Sequence, residues 1–386
     1  MKEHKPLFDY EPLIVRSPGR INLIGEHTDY NEGFVMPAAI DKGITFRIAP
    51  ARSAMSVIYS ENFNERYVVP AGALTPAPNH PWANYLLGVL HRLSAYADVP
   101  HFTCSLAGDL PIGSGMSSSA ALECGFAFAL NECFRLGIAK KELIHIAQWA
   151  EHHFAGVRCG IMDQFSSMMG KKDHAILLDC RSLDYRYLPL ALNAYKLLLC
   201  NTNVRHSLAS SEYNIRRAEC EEGLAIMQGT YPGLTSLRGV TPAMLQEHAS
   251  LMPVNVYNRC SYVVEEIARV QEAALDLENG NLASFGTKMF QTHEGLSGLY
   301  QVSCPELDFL VDQARQNNVA GARMMGGGFG GCTLNLIASG AVDAFTKSAR
   351  KAYREKFGIE LTTYPVEVGN GVSVIQSENY AYNTVR

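Results

Sequence analysis

The sequence predicts an α+β protein of two domains, and three observations carry that reading. The chain has 386 residues, and at about 100–200 residues per domain this leaves room for two. Hydrophobic residues make up 47% of it, enough for a sizeable core. Strand and helix patterns follow one another in mixed order rather than as a regular βαβ repeat. They alternate up to about residue 175, and the rest is richer in helix. Domains are therefore expected at 1–175 and 176–386.

In chain order, Ile14–Arg16 and Gly43–Ala49 read as strands, the second with alternating apolar positions. Residues 67–91 carry no Asp, Glu, Lys or Arg but hold Pro70, Pro76, Pro78 and Pro81. That stretch reads as a loop followed by a short helix, not a membrane span. Phe102–Leu106 is another strand. Ser117–Leu136 is a helix with Leu122, Phe126, Ala129, Leu130 and Cys133 on its apolar face, ended by Gly137. Lys140–Phe154 is a second helix, with Leu143, Ile146, Ala147, Ala150 and Phe154 on one stripe. Gly170–Asp173 turns into a strand at Ala175–Leu178. Long helical patterns follow at Ser207–Gln228 and Tyr257–Leu277, and a shorter one at Asp308–Gln316. Ala322–Ala338 reads as strand, glycine loop, strand. A helix at Val342–Lys356 and a strand within Val366–Val374 close the chain.

Composition excludes several classes. Charged residues are 18% and the net charge is -5, which suits neither a disordered chain nor a nucleic-acid binder. The first ten residues have no apolar core behind their charges, so no secretory signal is expected. The ten cysteines are scattered with no C-x-x-C pair. They read as reduced packing residues of a cytoplasmic protein rather than a disulfide framework or zinc ribbon.

Four segments carry chemistry. In Pro111-Ile-Gly-Ser-Gly-Met-Ser-Ser-Ser-Ala-Ala121, two glycines precede three serines at a helix start. Free N–H groups and the helix dipole attract phosphate there, although serine is also an ordinary helix cap. No Lys follows the glycines, so this is not a Walker A loop. Ser17-Pro-Gly-Arg-Ile-Asn-Leu-Ile-Gly-Glu-His-Thr-Asp-Tyr-Asn31 gathers Arg20, Glu26, His27 and Asp29. Carboxylates in such a loop accept hydrogen bonds from several hydroxyls, and a fixed guanidinium neutralises phosphate charge; a polar surface turn is the plainer alternative. Asp163 follows Gly160, Ile161 and Met162 and leads into a helix, as a cap or as a functional base. Glu151, at the edge of its helix's apolar stripe, is a metal ligand or a solvated edge residue. In Arg323-Met-Met-Gly-Gly-Gly-Phe-Gly-Gly-Cys332 the glycines clear side chains where backbone meets a ligand or another loop.

Together these motifs, in this order, resemble the GHMP small-molecule kinases, and within them the galactokinase family. Gly19-Arg-Ile-Asn-Leu-Ile-Gly-Glu-His-Thr-Asp-Tyr-Asn31 is similar to that family's signature. Cys159-Gly-Ile-Met-Asp-Gln-Phe165, Ser210-Ser-Glu-Tyr-Asn-Ile-Arg-Arg217 and the 324–332 glycine run are similar to further family segments. Met116 stands where the family usually has Leu, and Met325 where it often has Thr. The resemblance implies a two-domain GHMP kinase fold, with an N-terminal ribosomal-protein-S5-like α/β lobe and a C-terminal ferredoxin-like α+β lobe. It implies ATP, Mg²⁺ and transfer of the γ-phosphoryl to the anomeric hydroxyl of D-galactose. By matching motif, Asp163 corresponds to the proton acceptor and Arg20 to the charge stabiliser. Glu26, His27, Thr28, Asp29, Gly160 and Tyr213 resemble sugar-binding positions. Ser60, Gly113, Ser114, Gly115, Met116, Ser117, Ser118 and Ser119 resemble nucleotide-binding ones, and Ser119 and Glu151 the Mg²⁺ ligands. A monomer is expected, with no protein partner, nucleic acid or membrane. Kinases for N-acetylgalactosamine or arabinose, and a non-catalytic galactose/ATP sensor, are the competing readings. The kinase reading requires Asp163 to meet Arg20 and the serine-tipped helix in space.

Overall fold

The computed structural model describes residues 7–111, 113–205 and 209–376. The first six residues, Ile112 of the serine motif and the expected helix start at Ser207 and Leu208 lie outside them. Strands in chain order are β1 (Leu13–Asn22), β2 (Phe34–Val35), β3 (Pro37–Pro50), β4 (Val57–Ser60), β5 (Glu65–Val68), β6 (Phe102–Gly108), β7 (His174–Asp179), β8 (Tyr185–Pro189), β9 (Tyr195–Arg205), β10 (Gly321–Met324), β11 (Gly330–Ala338), β12 (Thr362–Val366) and β13 (Ser373–Gln376). The α-helices are α1 (Pro81–Leu93), α2 (Ser118–Phe134), α3 (Lys140–Ala150), α4 (Met162–Met169), α5 (Ala209–Gln228), α6 (Pro242–Glu247), α7 (Val254–Glu278), α8 (Leu282–Gly298), α9 (Pro305–Gln316) and α10 (Val342–Phe357). None is long and apolar enough to cross a membrane.

Three sheets organise these elements. A six-stranded sheet runs β13-β1-β3-β6-β4-β5, a four-stranded one β10-β11-β9-β12, and a three-stranded one β2-β7-β8. Helix α2 lies on β1 and β3 with α1, α3 and α4 around it. It is therefore buried on nearly all sides, Glu123 included, where a single apolar face was expected. On the four-stranded sheet, α9 and α10 cover a second core of Leu198, Leu310, Ile337, Phe345 and Tyr353.

Several expectations change. The expected domain division at 175/176 falls inside β7, and the last strand returns to pair with β1 at the N-terminal sheet. Residues 366–374 do not form one strand; β12 joins the four-stranded sheet and β13 the six-stranded one. Helix α2 stops at Arg135, which adopts the left-handed conformation before Gly137 is reached. Helix α3 stops at Ala150, and Glu151–Ala155 continue as a wider π-helical turn, a local unwinding often found at functional sites. None of the ten cysteines forms a disulfide; eight are buried, and Cys159 and Cys180 are half-buried.

Candidate active site

Three chain features bring the acidic–basic cluster to one place. A β-bulge between Pro18 and Arg20 re-aims the end of β1, and the Arg20 N–H donates to the Met116 carbonyl at 3.1 Å. The loop after β1 carries Glu26 to Asp29 beneath the glycine run. Helix α4 presents Asp163 in its first turn.

Arg20 and Asp163 form a two-pronged ion pair, Nε to Oδ1 at 2.7 Å and Nη2 to Oδ2 at 2.8 Å. Such a fork fixes direction as well as charge. Ser117, at the cap of α2, donates to Asp163 Oδ2, and Arg20 Nη1 donates to the Gly115 carbonyl. Burial works against the Arg20 charge, but Asp163, Glu26 and Asp29 outweigh it and hold its pKa above the ordinary value. The required meeting of Asp163, Arg20 and the serine-tipped helix is thus present.

Arg20 and Asp163 wall a cavity of about 180 Å³, together with Glu26, His27, Asp29, Glu151, Cys159, Gly160, Tyr213, Gly326 and Gly327. Glu26 is fixed by two donors, the fully buried Arg323 guanidinium and the Gly326 N–H at 2.7 Å. Burial pushes His27 down to about 3, so the imidazole is neutral. Asp29 is pushed up to about 7, first by burial and then by the neighbouring Asp163 charge. A Cβ on Gly160 would lie 1.9 Å from Asp29 Oδ2, so only glycine lets the carboxylate sit there. Thr28 does not reach the cavity. Its hydroxyl donates to the Gly25 and Phe34 carbonyls at 3.0 and 2.7 Å and holds the loop's shape instead.

A second cavity, of about 370 Å³, opens on the other side of the α2 tip. Its wall holds Ser60, Phe63, Trp82, Tyr85, Leu106, Leu122, Ser118 and Ser119. The Ser60 hydroxyl is buried and makes no hydrogen bond among the described residues. The helix tip thus stands between the cavities, Ser117 bonded to Asp163 of the first, and Ser118 and Ser119 lining the second. Gly113 and Gly115 take positive φ here. Two residues of this loop turn inward, contrary to expectation. The Ser114 hydroxyl donates to the Pro111 carbonyl at 2.7 Å, and the Met116 side chain is in the core, leaving only their backbones for a ligand.

The glycine run belongs to loop–loop packing. A Cβ on Gly115 would come within 3.1 Å of the Met325 carbonyl, and one on Gly326 within 3.3 Å of the Gly115 carbonyl. Met325 itself is buried, so the residue that departs from the family pattern fills core space.

Burial raises Glu151 to about 7, against the opposing pull of the neighbouring Ser119 hydroxyl. Gln164 donates to Glu151 at 2.6 Å. Sequence reading missed Arg323 as a site residue, although a lone Arg in an apolar strand next to glycines was a visible signal. Cys159 was read as packing, yet it lines the first cavity. Phe63, Trp82 and Tyr85 carried no motif.

Two lobes flanking paired cavities at a serine-tipped helix define a GHMP small-molecule kinase. Residues 84–171 match the GHMP kinase N-terminal domain and 272–355 the C-terminal one. The mevalonate kinase of Methanococcus jannaschii shares the fold, with a TM-score of 0.66 at 17% identity over 94% of this chain and 100% of that one. Residues 2–50 match the galactokinase galactose-binding signature. Galactokinase of Thermotoga neapolitana is 43% identical over 365 residues, covering 94% of this chain and all of the relative. The crystal structure of Lactococcus lactis galactokinase complexed with galactose matches with a TM-score of 0.91 and 35% identity, covering 95% of each chain. The chain belongs to the galactokinase family and is an ATP-dependent sugar kinase.

Proposed function

We propose that the protein transfers the γ-phosphoryl of ATP to the anomeric hydroxyl of D-galactose, giving galactose 1-phosphate and ADP. The observation that carries this is the Arg20–Asp163 fork, set where the small polar cavity meets the helix tip. In this reading the polar cavity holds the sugar, and the larger apolar cavity holds the nucleotide base. The signature match and the galactose complex of the Lactococcus relative support galactose as the sugar.

Three donor contacts to Asp163, two from Arg20 and one from Ser117, fix the direction in which its side chain faces the hydroxyl. Phosphoryl transfer has a loose transition state, and the hydroxyl becomes acidic only as the new bond forms. Asp163 therefore orients the hydroxyl early and accepts its proton late. Arg20 and the N–H groups of the first turn of α2 stabilise the developing charge. Neutral His27, Glu26, Asp29 and Tyr213 orient the sugar hydroxyls.

Mg²⁺ fits the residues present. The Ser119 hydroxyl and the Glu151 carboxylate offer neighbouring oxygen donors, and buried Glu151 has no ion-pair partner among the described residues. Mg²⁺ prefers oxygen ligands, one or two carboxylates with waters and phosphate oxygens. When bound it would neutralise phosphate charge.

The test is coupled ADP release with D-galactose, glucose, N-acetylgalactosamine and arabinose. Galactose is expected to give the highest kcat/KM. A higher value for N-acetylgalactosamine or arabinose would reassign the substrate.

A further inference from the structure

We infer that His293 is a positioning residue for the sugar cavity, pinning the edge of β10 so that Arg323 and Gly326 meet Glu26. The role rests on the reading of the polar cavity as the sugar site.

Strand β10 is at the edge of its sheet, with β11 on one side only. Successive N–H groups along such a strand point to opposite edges. The Met325 N–H turns inward and donates to the Cys332 carbonyl at 3.0 Å. The Met324 N–H turns outward, and Met324 is fully buried. A buried N–H must find a partner inside the protein. Here it is His293 of α8, whose Nδ1 accepts from it at 3.2 Å. A backbone N–H can only donate, so this contact has one direction. The accepting nitrogen carries no hydrogen, which places the hydrogen of the ring on Nε2. Nε2 lies 3.2 Å from Asp308 Oδ1, a carboxylate held in turn by the Ser303 and Ser297 hydroxyls at 2.6 and 3.1 Å.

The pinned N–H lies between the two groups that hold Glu26. One residue before it, Arg323 Nη2 donates to Glu26 Oε1 and to the Asn22 carbonyl, the latter at 2.8 Å. Two residues after it, the Gly326 N–H donates to the same Oε1 at 2.7 Å. Arg323 Nε and Nη1 find no hydrogen-bond partner among the described residues, so the aim of the guanidinium depends on the strand that carries it. A displaced β10 edge therefore moves both donors of Glu26 together. The neighbour of His293 braces the same loop. The Thr292 hydroxyl donates to the buried Glu266 carboxylate at 3.0 Å, and Glu266 accepts the Gly25 N–H at 2.8 Å. Two adjacent residues of α8 thus support two adjacent residues of the sugar loop. His293 lines neither cavity and acts through Met324.

The experiment uses two variants of the full-length protein, each keeping one nitrogen's function. His293→Asn puts a carbonyl oxygen where Nδ1 stands and retains the acceptor for Met324. His293→Gln puts an amide nitrogen where Nε2 stands and retains only the contact with Asp308. In steady-state kinetics, His293→Gln should raise the galactose KM about tenfold, the scale of one hydrogen bond, while the ATP KM stays within twofold. His293→Asn should keep the galactose KM within about threefold of wild type, less than that one bond. Equal galactose KM values in the two variants, or an equal rise in both substrates' constants, overturns the role. ¹⁵N NMR of the wild type, labelled at histidine, needs no active variant; the His293 signal is assigned by its loss in either one. A neutral ring protonated at Nε2 is expected, and protonation at Nδ1 overturns the inference. That signal is read without sugar, so absent galactose turnover in the wild type would count against the substrate assignment alone.

Discussion

The cavity around Asp163 holds about 180 Å³ and is walled by charged and polar groups that already grip one another. The cavity beyond Ser119 holds about 370 Å³ and is walled by Phe63, Trp82, Leu106, Leu110 and Leu122. In the proposed reading the first recognises by orientation. Glu26 is held by Arg323, Asp163 by Arg20, and Asp29 is seated on Gly160, so each polar group is in place before a ligand arrives. In the same reading the second recognises by shape and apolar contact, with the Ser60 hydroxyl, unpartnered among the described residues, in its wall. A fixed polar site rejects a ligand whose groups fail to pair, because buried donors and acceptors are left unmatched. An apolar site discriminates far less per group. Selectivity should therefore reside on the sugar side, and substitutions on the two sides should separate in kinetics.

The largest expected effect is at the junction. Asp163→Asn should lower kcat about 10²–10⁴-fold, the range for loss of a positioned proton acceptor, while nucleotide binding by titration stays intact. Turnover within tenfold of wild type would remove the role. Next is the support beneath the polar wall. Arg323→Met strands Glu26 as a buried, uncompensated charge. It should cost about 3–5 kcal/mol in denaturant unfolding, whereas an equal change at an exposed Arg should be silent.

Asp29→Ala removes hydroxyl acceptors and should raise the galactose KM by one to two orders of magnitude, about 1.4 kcal/mol for each, with the ATP KM unchanged. Trp82→Ala is its mirror image, expected to raise the ATP KM about tenfold and leave the galactose KM alone. If either substitution moved both constants equally, the division between the cavities would fail.

The smallest effect is in pH. Asp29 titrates at about 7 in the folded protein and at about 3.9 unfolded. Between those values the folded state holds more protons, so this group's contribution to stability is full below pH 4 and is lost as pH rises to 7. Thermal unfolding without sugar should show a downward slope across that window that flattens in Asp29→Asn. An unchanged slope in the variant would mean that Asp29 does not titrate there.

What could be read from sequence follows the same contrast. The polar wall comes from short local motifs, so Arg20, Glu26, His27, Asp29 and Asp163 were visible as candidates. The apolar wall takes single residues from scattered segments, and nothing in Phe63 or Trp82 alone distinguishes a ligand wall from ordinary core. Thr28 looked like its neighbours, but its hydroxyl closes the loop. Strand β9 and helix α8 of the C-terminal half also went unread. Strand β9 has Leu197, Leu198, Leu199 and Cys200 all buried, so it lacks the alternation that marks a half-exposed strand. Helix α8 carries Gly286, Gly295 and Gly298, which weaken its helical signal. Gly286 is required because its Cβ would lie 2.1 Å from the Ala320 carbonyl.

Glu26 and Arg323 stand 297 positions apart in the chain. At about 5–20 residues per second of synthesis, roughly a quarter of a minute to a minute passes between their emergence from the ribosome. Throughout that interval the nascent sugar loop carries a carboxylate whose guanidinium has not yet been made. A galactose-competent loop can therefore form only after the chain is nearly finished, and fragments truncated before Arg323 should be blind to the sugar however well their first sheet assembles.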